Sequence, residues 1–298
     1  MESSRCKAFL ASAETGSFSR AAESLRYTPS GVSQLVTALE QDLGFPLLRR
    51  TKRGVTLTDG GEQLLPAIRG FLQQEERIYQ MAAEVKGLAV GHITIATYSS
   101  IATHWLPRVI RDFQRDYPNI ELRIIEGIRQ EVTQALDESR ADIGFLSGHE
   151  KMPYDWIPLA EDTMLAVLPK GHPLAGADRY PLSRCQEEDF IMPAMGRDAD
   201  IAPMLERNHI VPNIRYATVE TFTALTMIEN GLGMTVTNEL ITRNWVCDVV
   251  MLPLDPPQQV TFGMAIPSLD HASPAARRFV EYAARALSRA EGVKSCGG

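Results

Sequence analysis

Short polar side chains recur on one side of the segment between residues 28 and 41. They are Ser30, Ser33, Gln34, Thr37 and Gln41. Each offers a hydrogen-bond donor or acceptor and none is negatively charged, which is the chemistry that base edges in a DNA major groove require. Any solvated helix can also present a polar face, so this pattern alone leaves both interpretations open.

Four cations lie within five residues shortly afterwards. They are Arg49, Arg50, Lys52 and Arg53. The stretch 47–58 predicts two short strands joined by a turn at 52–54. Cations at the tip of such a hairpin suit contacts with phosphates or with the minor groove.

Three short helices must position these side chains. Residues 3–14 predict the first, and Ser17 is placed to cap the second. Thr28 is placed to cap the third, with Pro29 at the first helical position, where its missing N–H costs nothing. Apolar residues at helical spacing give the second and third helices one buried face each; they are Phe18, Ala21, Ala22 and Leu25, then Val32, Leu35, Val36 and Leu39. Such short helices with tight connections are typical of a helix-turn-helix motif.

Composition and charge separate this head from the rest of the chain. Of a net charge of −7, residues 1–60 carry +2, from eight Lys and Arg against six Asp and Glu, so the remainder carries −9. A basic head on an acidic body indicates that the head meets a polyanion. The first residues lack the pattern of a signal peptide and no apolar run is long enough to span a membrane, so we expect a cytoplasmic protein without membrane contact.

A long helix is predicted after the hairpin, from Thr58 or Asp59 to about Gly87. Apolar positions alternate at spacings of four and three, which is a heptad seam that predicts pairing with another helix. The seam comprises Leu64, Ile68, Phe71, Ile78, Ala82 and Val85, with Glu75 as its polar exception. A surface helix packed only within its own chain is the alternative.

Strands and helices then alternate, which predicts an α/β body. Strands are predicted at 92–97, 120–125 and 142–146 with helices near 100–116 and 129–139. A second set of strands is predicted at 164–168, 190–192, 214–217, 234–236 and 260–266, before a final helix near 274–290.

The head resembles the LysR family of bacterial transcriptional regulators. The residues that carry the resemblance are Phe9-Leu10, Gly16-Ser17-Phe18, Ala21-Ala22, Leu25, Thr28 to Gln34, Leu39-Glu40, Leu43-Gly44, Leu47 to Arg50 and Leu57 to Gly61. It implies DNA contacts by Thr28, Pro29, Ser33 and Gln34, and by Arg53 in the wing. With the polar face and the hairpin cations, the predicted DNA-binding set is Ser17, Thr28, Pro29, Ser30, Ser33, Gln34, Thr37, Arg50, Lys52 and Arg53. The family often has Gln at the position of Thr28 and Arg at that of Gln34, so no operator sequence follows.

The resemblance also implies an architecture and an assembly. The order of strands resembles the two-lobed, periplasmic-binding-protein-like effector domain of this family, with crossings between lobes near 160 and 267. We therefore expect a winged helix-turn-helix over 1–58, a linker helix over 59–87 and an effector domain over 88–298, with lobe I at 88–161 and 268–298 and lobe II at 162–267. Dimerisation through Leu64, Ile68, Phe71, Ile78 and Ala82, and further association to a homotetramer, are implied as well.

Hydroxyl side chains mark the predicted cleft between the lobes. Ligands of open α/β sheets lie at the carboxyl ends of strands, facing helix N-termini. Thr97, Ser99 and Ser100 hold that place in lobe I, and Thr218 and Thr221 in lobe II, with Arg197 as a candidate charged donor. Each hydroxyl alone could simply cap a helix. As a set they predict a small anionic effector, such as a carboxylate.

Two other functions fit parts of the chain. An enzyme could be built on this body, but no hydrolase, dinucleotide-binding or P-loop motif is present. A solute-binding protein would use the body alone, and the basic head opposes that function. The four cysteines are far apart and the six histidines show no metal-ligand spacing, so we expect no disulfide, metal or cofactor.

Overall fold

The computed structural model describes residues 2–148, 152–194, 198–243 and 245–292. The head holds three helices and a two-stranded wing: α1 Ser3–Thr15, α2 Phe18–Leu25, α3 Pro29–Leu43, β1 Leu48–Thr51 and β2 Gly54–Leu57. The predicted caps are present: the Ser17 hydroxyl accepts a hydrogen bond from the Arg20 amide at 3.4 Å, and that of Thr28 accepts one from the Gly31 amide at 3.1 Å. The predicted apolar faces of α2 and α3 meet around Phe9 of α1 in one core.

The wing is tied to the helices by backbone contacts. The Val55 amide donates to the Gly16 carbonyl oxygen at 2.9 Å. Gly54 lies at φ +133°, and a Cβ there would collide with the same oxygen, so glycine is required. The Glu40 carboxylate accepts the Leu47 and Leu48 amides at 2.8 and 3.0 Å, which anchors the start of the wing to α3.

The linker helix α4, Asp59–Val85, begins at a Thr58 cap and presents different faces along its length. Leu64 and Ile68 pack into the head core, and Ile68 is only 4% exposed. Glu75 bonds to Ser3 and Lys7 of α1. The prediction that Ile68 is a dimer contact is therefore wrong for this chain, because the side chain is already enclosed by its own head.

A second face of α4 binds the body. Gln73 donates to the Ser139 carbonyl oxygen at 3.1 Å, Arg77 to that of Asp270 at 3.2 Å, and Gln80 accepts the Ala275 amide at 3.3 Å. A third face stays open: Phe71, Ile78 and Val85 recur every seven residues and are 37%, 65% and 89% exposed. Ala82, on the same side, is also exposed.

Lobe I is built on parallel strands, as predicted. Its elements are β3 Gly91–Thr97, α5 Ser99–His104, α6 Leu106–Asp116, β4 Ile120–Glu126, α7 Arg129–Asp137 and β5 Ile143–Ser147, with α11 Pro274–Gly292 packed on β3 and α6. The single helix predicted near 100–116 is two helices. Pro107 cannot supply the amide that a continuous helix needs, and Trp105 turns into the core between them.

Two long strands join the lobes. They are β6 Asp155–Pro169 and β12 Gln259–Ile266, antiparallel neighbours in an eight-stranded sheet. The strand predicted at 164–168 is thus only the second half of β6. The return crossing lies before 267, because Phe262 to Ala265 already pair with β5 of lobe I.

Lobe II completes the sheet and adds a parallel pair. Its elements are β7 Tyr180–Pro181, a 3₁₀ helix Leu182–Gln186, β8 Asp189–Met192, α8 Ile201–Arg207, β9 Asn213–Ala217, α9 Thr221–Glu229, β10 Thr235–Asn238, α10 Glu239–Thr242 and β11 Val249–Asp255. Both β10 and β11 run antiparallel to β6, whereas β8 and β9 pair in parallel. The strand β11 was not predicted from the sequence, because Pro253 and the flanking polar residues weaken its strand pattern.

Candidate functional site

The outer face of α3 is accessible, as a reading surface requires. Thr28, Pro29, Ser30, Gln34 and Thr37 are exposed and Ser33 is half-buried. The hydroxyls of Thr28 and Ser30 are 3.1 Å apart. Because Ser17 and Thr28 also cap helices, their hydroxyls hold the local structure as well as facing outward.

Arg50 joins the wing to this face. One of its guanidinium nitrogens donates to the Ser33 hydroxyl at 2.6 Å, and the guanidinium carbon lies 5.2 Å from the centre of the Phe18 ring. The structure therefore brings together two predicted DNA-binding residues from different elements. A cation held over an aromatic ring is pre-positioned for a partner.

The wing tip carries accessible positive charge. Lys52 and Arg53 are exposed, and within the described residues neither forms an ion pair. Arg49 lies 3.9 Å from Asp59, with both side chains exposed. Cations that are not paired within the protein can neutralise phosphates without first breaking a salt bridge.

A cavity of about 810 Å³ separates the two lobes. Its wall includes the ends of β4 and β10 and the starts of α5, α7, α8 and α9. Ser99, Ser100 and Thr221 lie on this wall as predicted. That volume suits a small organic ligand.

Two predicted effector contacts lie off the wall. Thr97 is fully buried at the end of β3 and donates to the Tyr98 carbonyl oxygen at 3.2 Å. Thr218 is 8% exposed and donates to the Glu220 carbonyl oxygen at 3.0 Å. Neither side chain lies on the described wall of the cavity, because each is buried and donates to a backbone carbonyl nearby in the chain. Arg197 lies outside the described residues.

A polar cluster beside the lobe I wall was not predicted from the sequence. Arg129, the first residue of α7, donates to the Ser147 carbonyl oxygen at 2.6 Å and to its hydroxyl at 3.1 Å. The Tyr98 hydroxyl lies 3.1 Å from the same Ser147 hydroxyl. Arg129 follows β4 and Ser147 ends β5, so the rule that selected Ser99 could have found both.

Carboxylates outnumber cations on the described wall of the cavity. They are Glu126, Glu131, Asp198, Asp200 and Glu220, against Arg129 alone. Two of them hold helix starts: Glu131 accepts the Ile128 amide at 2.9 Å, and Asp198 accepts the Asp200 and Ile201 amides at 2.9 and 2.8 Å. Their charge is thus partly satisfied by the backbone.

Asp200 has the most perturbed carboxyl of this group. Burial, and then the neighbouring Asp198, raise its pKa to about 6, against the lowering effects of a hydrogen bond from Ser147 and of the Arg129 and Arg207 charges. At neutral pH the Asp200 carboxyl is charged, although burial and the Asp198 charge disfavour its ionisation.

The described residues contain no group of three or more His, Cys, Asp or Glu that could hold a metal ion. Over the same ranges, none of the helices combines the length and the apolar character needed to span a bilayer.

Comparison with known proteins assigns both parts of the chain. Residues 4–62 match the family described as bacterial regulatory helix-turn-helix protein, lysR family, and residues 86–288 match the LysR substrate binding domain. The chain is 34% identical over 287 residues to the uncharacterized HTH-type transcriptional regulator YvbU of Bacillus subtilis, covering 95% of this chain and 98% of that one. It is 32% identical over 260 residues to the probable HTH-type transcriptional regulator LrrA of Synechococcus elongatus, covering 85% and 86%.

Solved structures share the fold over the full length. A full-length OxyR variant from Pseudomonas aeruginosa superposes with a TM-score of 0.75 at 20% identity, covering 97% of this chain and 98% of that chain. CbnR in complex with its target DNA superposes with a TM-score of 0.65 at 21% identity, covering 96% and 99%. The predicted fold class, a helix-turn-helix head with a two-lobed α/β effector domain, is confirmed. The chain belongs to the LysR family of DNA-binding transcriptional regulators.

Proposed function

We propose that the chain regulates transcription in the bacterial cytoplasm by reading double-stranded promoter DNA with α3 and the wing. The observation that carries this is the exposed, uncharged polar face of α3 beside the exposed cations Lys52 and Arg53. Contacts with base edges supply sequence specificity and contacts with phosphates supply general affinity. The face of α3 would provide the first and the wing cations the second. The relatives named as regulators support this function over catalysis or solute transport.

The reading surface is tested by Gln34→Ala. If Gln34 makes a base contact, its loss costs on the order of 1 to 3 kcal/mol on the operator and less on random DNA. Fluorescence anisotropy on both DNAs measures the difference. Gln114→Ala is the matched control, since Gln114 is an exposed glutamine on α6 of the body. Equal losses on the two DNAs would make Gln34 a backbone contact instead.

The open face of α4 supports a homodimer. Phe71, Ile78, Ala82 and Val85 lie on one side of a 27-residue helix, where Ile78, Ala82 and Val85 are well exposed and Phe71 is 37% exposed. Apolar residues at a seven-residue repeat bury one another when two helices pair. The homotetramer implied by the family resemblance stays a prediction.

We infer further that the cavity between the lobes binds a small effector with a carboxylate group. Hydrogen-bond donors are available from both lobes, on Arg129, Ser99, Ser100 and Thr221. Among the described residues of the wall, Arg129 is the one cation. The acids opposite favour a ligand whose remainder is neutral or cationic, since a second negative charge would face them.

A thermal-shift screen of the full-length protein tests this effector class. Small monocarboxylates should raise the melting temperature, whereas their neutral amides and the dicarboxylates should raise it less. Arg129→Gln should remove the stabilisation. Stabilisation by amides equal to that by acids would contradict a carboxylate effector.

A further inference from the structure

The Ser147 hydroxyl is the centre of a saturated hydrogen-bond cluster in the cleft. Ser147 is fully buried at the end of β5. Its hydroxyl accepts from Arg129 at 3.1 Å, lies 3.1 Å from the Tyr98 hydroxyl and is hydrogen-bonded to the Asp200 carboxyl. A hydroxyl has one proton to give, so with the proton given to the Asp200 carboxylate, Tyr98 donates to Ser147.

This cluster crosses from one lobe to the other. Tyr98, Arg129 and Ser147 belong to lobe I, whereas Asp200 precedes α8 of lobe II. The Asp200 carboxylate is also close enough to the Arg129 guanidinium for that charge to lower its pKa. It is therefore bound to a hydroxyl donor and attracted by a cation across the cleft.

A hydroxyl and a guanidinium are also what an effector carboxylate would seek in this cavity. Resting on the effector proposed above, we propose that Asp200 is a built-in occupant of the carboxylate subsite formed by Arg129, Ser147 and Tyr98. An effector carboxylate must displace Asp200, so Asp200 sets the affinity and breaks a contact between the lobes when it leaves.

The surroundings make Asp200 a displaceable occupant. Asp198 beside it is a like charge, and Glu126, Glu131 and Glu220 line the same cavity, whereas Arg129 and Arg207 oppose them. Burial, and then the Asp198 charge, raise the pKa of Asp200 to about 6. Protonation near that pH would weaken its competition for the subsite, so a carboxylate should bind better in mild acid.

The test measures acetate binding to the full-length protein and uses Asp200→Asn. Melting temperature is followed against sodium acetate at pH 7.5, with sodium chloride at equal ionic strength as reference. Asp200→Asn should bind acetate at least tenfold tighter than wild type, since the amide competes less for Arg129. Wild-type affinity should rise several-fold from pH 7.5 to 5.5, and that of Asp200→Asn should not.

Two further variants separate displacement from a general change in charge. Glu220→Gln removes one negative charge from the same wall and should change acetate affinity less than threefold. Adding Arg129→Gln to Asp200→Asn should abolish the gain. Equal affinity in wild type and Asp200→Asn, no binding in either, or a gain that survives Arg129→Gln would overturn the proposal.

Operator binding by the same preparations is measured separately by mobility shift. Loss of operator binding with the acetate results intact would refute the regulator and keep the subsite. Normal operator binding without a gain in Asp200→Asn would refute the subsite alone.

Discussion

In the head, some side chains stabilise the fold and others are exposed where a partner could bind. The Thr28 hydroxyl caps α3, while Gln34 and Thr37 on the same helix are exposed. Arg50 has both roles, because it is bonded to Ser33 and lies over Phe18 on the face that would meet DNA. Removing Arg50 would loosen the wing as well as delete a charge.

Lys52 and Arg53 test the charge of the wing without the structural role of Arg50, since both side chains are exposed. Replacing both with alanine should reduce the slope of log affinity against log salt by up to about two, because each phosphate neutralised releases about one counterion. Fluorescence anisotropy titrations at salt concentrations from about 50 to 300 mM measure this slope.

The matched control for the wing is Arg111→Ala with Arg115→Ala, an exposed pair on α6 of the body. That variant should keep the wild-type slope. A wing variant whose slope equals that of wild type would show that Lys52 and Arg53 do not contact the backbone.

At the scale of elements, α4 has three surfaces with different surroundings, which its heptad pattern does not distinguish. Its first turns complete the head core, one face binds the body through Gln73, Arg77 and Gln80, and another remains open. Ile68 and Ile78 are both apolar residues in the same predicted seam, yet one is 4% and the other 65% exposed. Only the packing of the head against the helix distinguishes them.

Ile78→Glu tests the open face. Burying an isoleucine contributes about 1.5 to 3 kcal/mol, and a carboxylate there adds a desolvation cost, so the dimer dissociation constant should rise at least tenfold. Sedimentation equilibrium measures the change. Tyr79→Glu is the control, because Tyr79 is 63% exposed but lies about 100° around the helix. A dimer as stable as wild type in Ile78→Glu would place the interface elsewhere.

At the scale of the whole molecule, one eight-stranded sheet extends through both lobes. The strands β6 and β12 run through both lobes, and Asp200 of lobe II interacts with Ser147 and Arg129 of lobe I across the cleft. The head and body are also joined through α4, where Arg69 lies 3.3 Å from Glu14 of α1 and 3.8 Å from Glu138 after α7. The helix α7 begins at Arg129 in the cleft, so the cleft and the head are connected by packed elements.

The folding stability of the whole chain should report the charge of Asp200. Its pKa of about 6 lies above the value of about 4 expected when unfolded, so the folded state binds its proton more strongly. Stability falls as pH rises from about 4 to 6, and the full cost, up to about 3 kcal/mol, is present above pH 6. Asp200→Asn should therefore be more stable than wild type at pH 7.5 and equal to it near pH 4.

Urea denaturation at the two pH values measures this difference. Glu121→Gln, which removes an exposed acid from β4, should leave stability within about 0.5 kcal/mol at both. Destabilisation of Asp200→Asn by the same amount at both pH values would show that its hydrogen bond, and not its charge, dominates.

The sequence by itself determined the local features of this protein. Caps and apolar spacing in the head depend on residues within one or two turns of each other, so Ser17, Thr28 and Pro29 could be assigned from their immediate neighbours in the chain. The clustered wing cations and the alternation of strands and helices are local in the same sense. Together with the family motif, they were sufficient for the fold class and for a DNA-binding regulator.

The tertiary structure decided every feature that joins distant residues. Thr97 and Ser99 are two residues apart, but only Ser99 lines the cleft. Thr97 is the last residue of β3, and its side chain is fully buried. Asp200, Arg129 and Ser147 carry no shared motif, and the chain between them gives no sign that they meet. Arg129 and Ser147 follow parallel strands at one edge of the lobe I sheet, and Asp200 reaches them from lobe II across the cleft. That arrangement follows from long-range packing and not from local sequence.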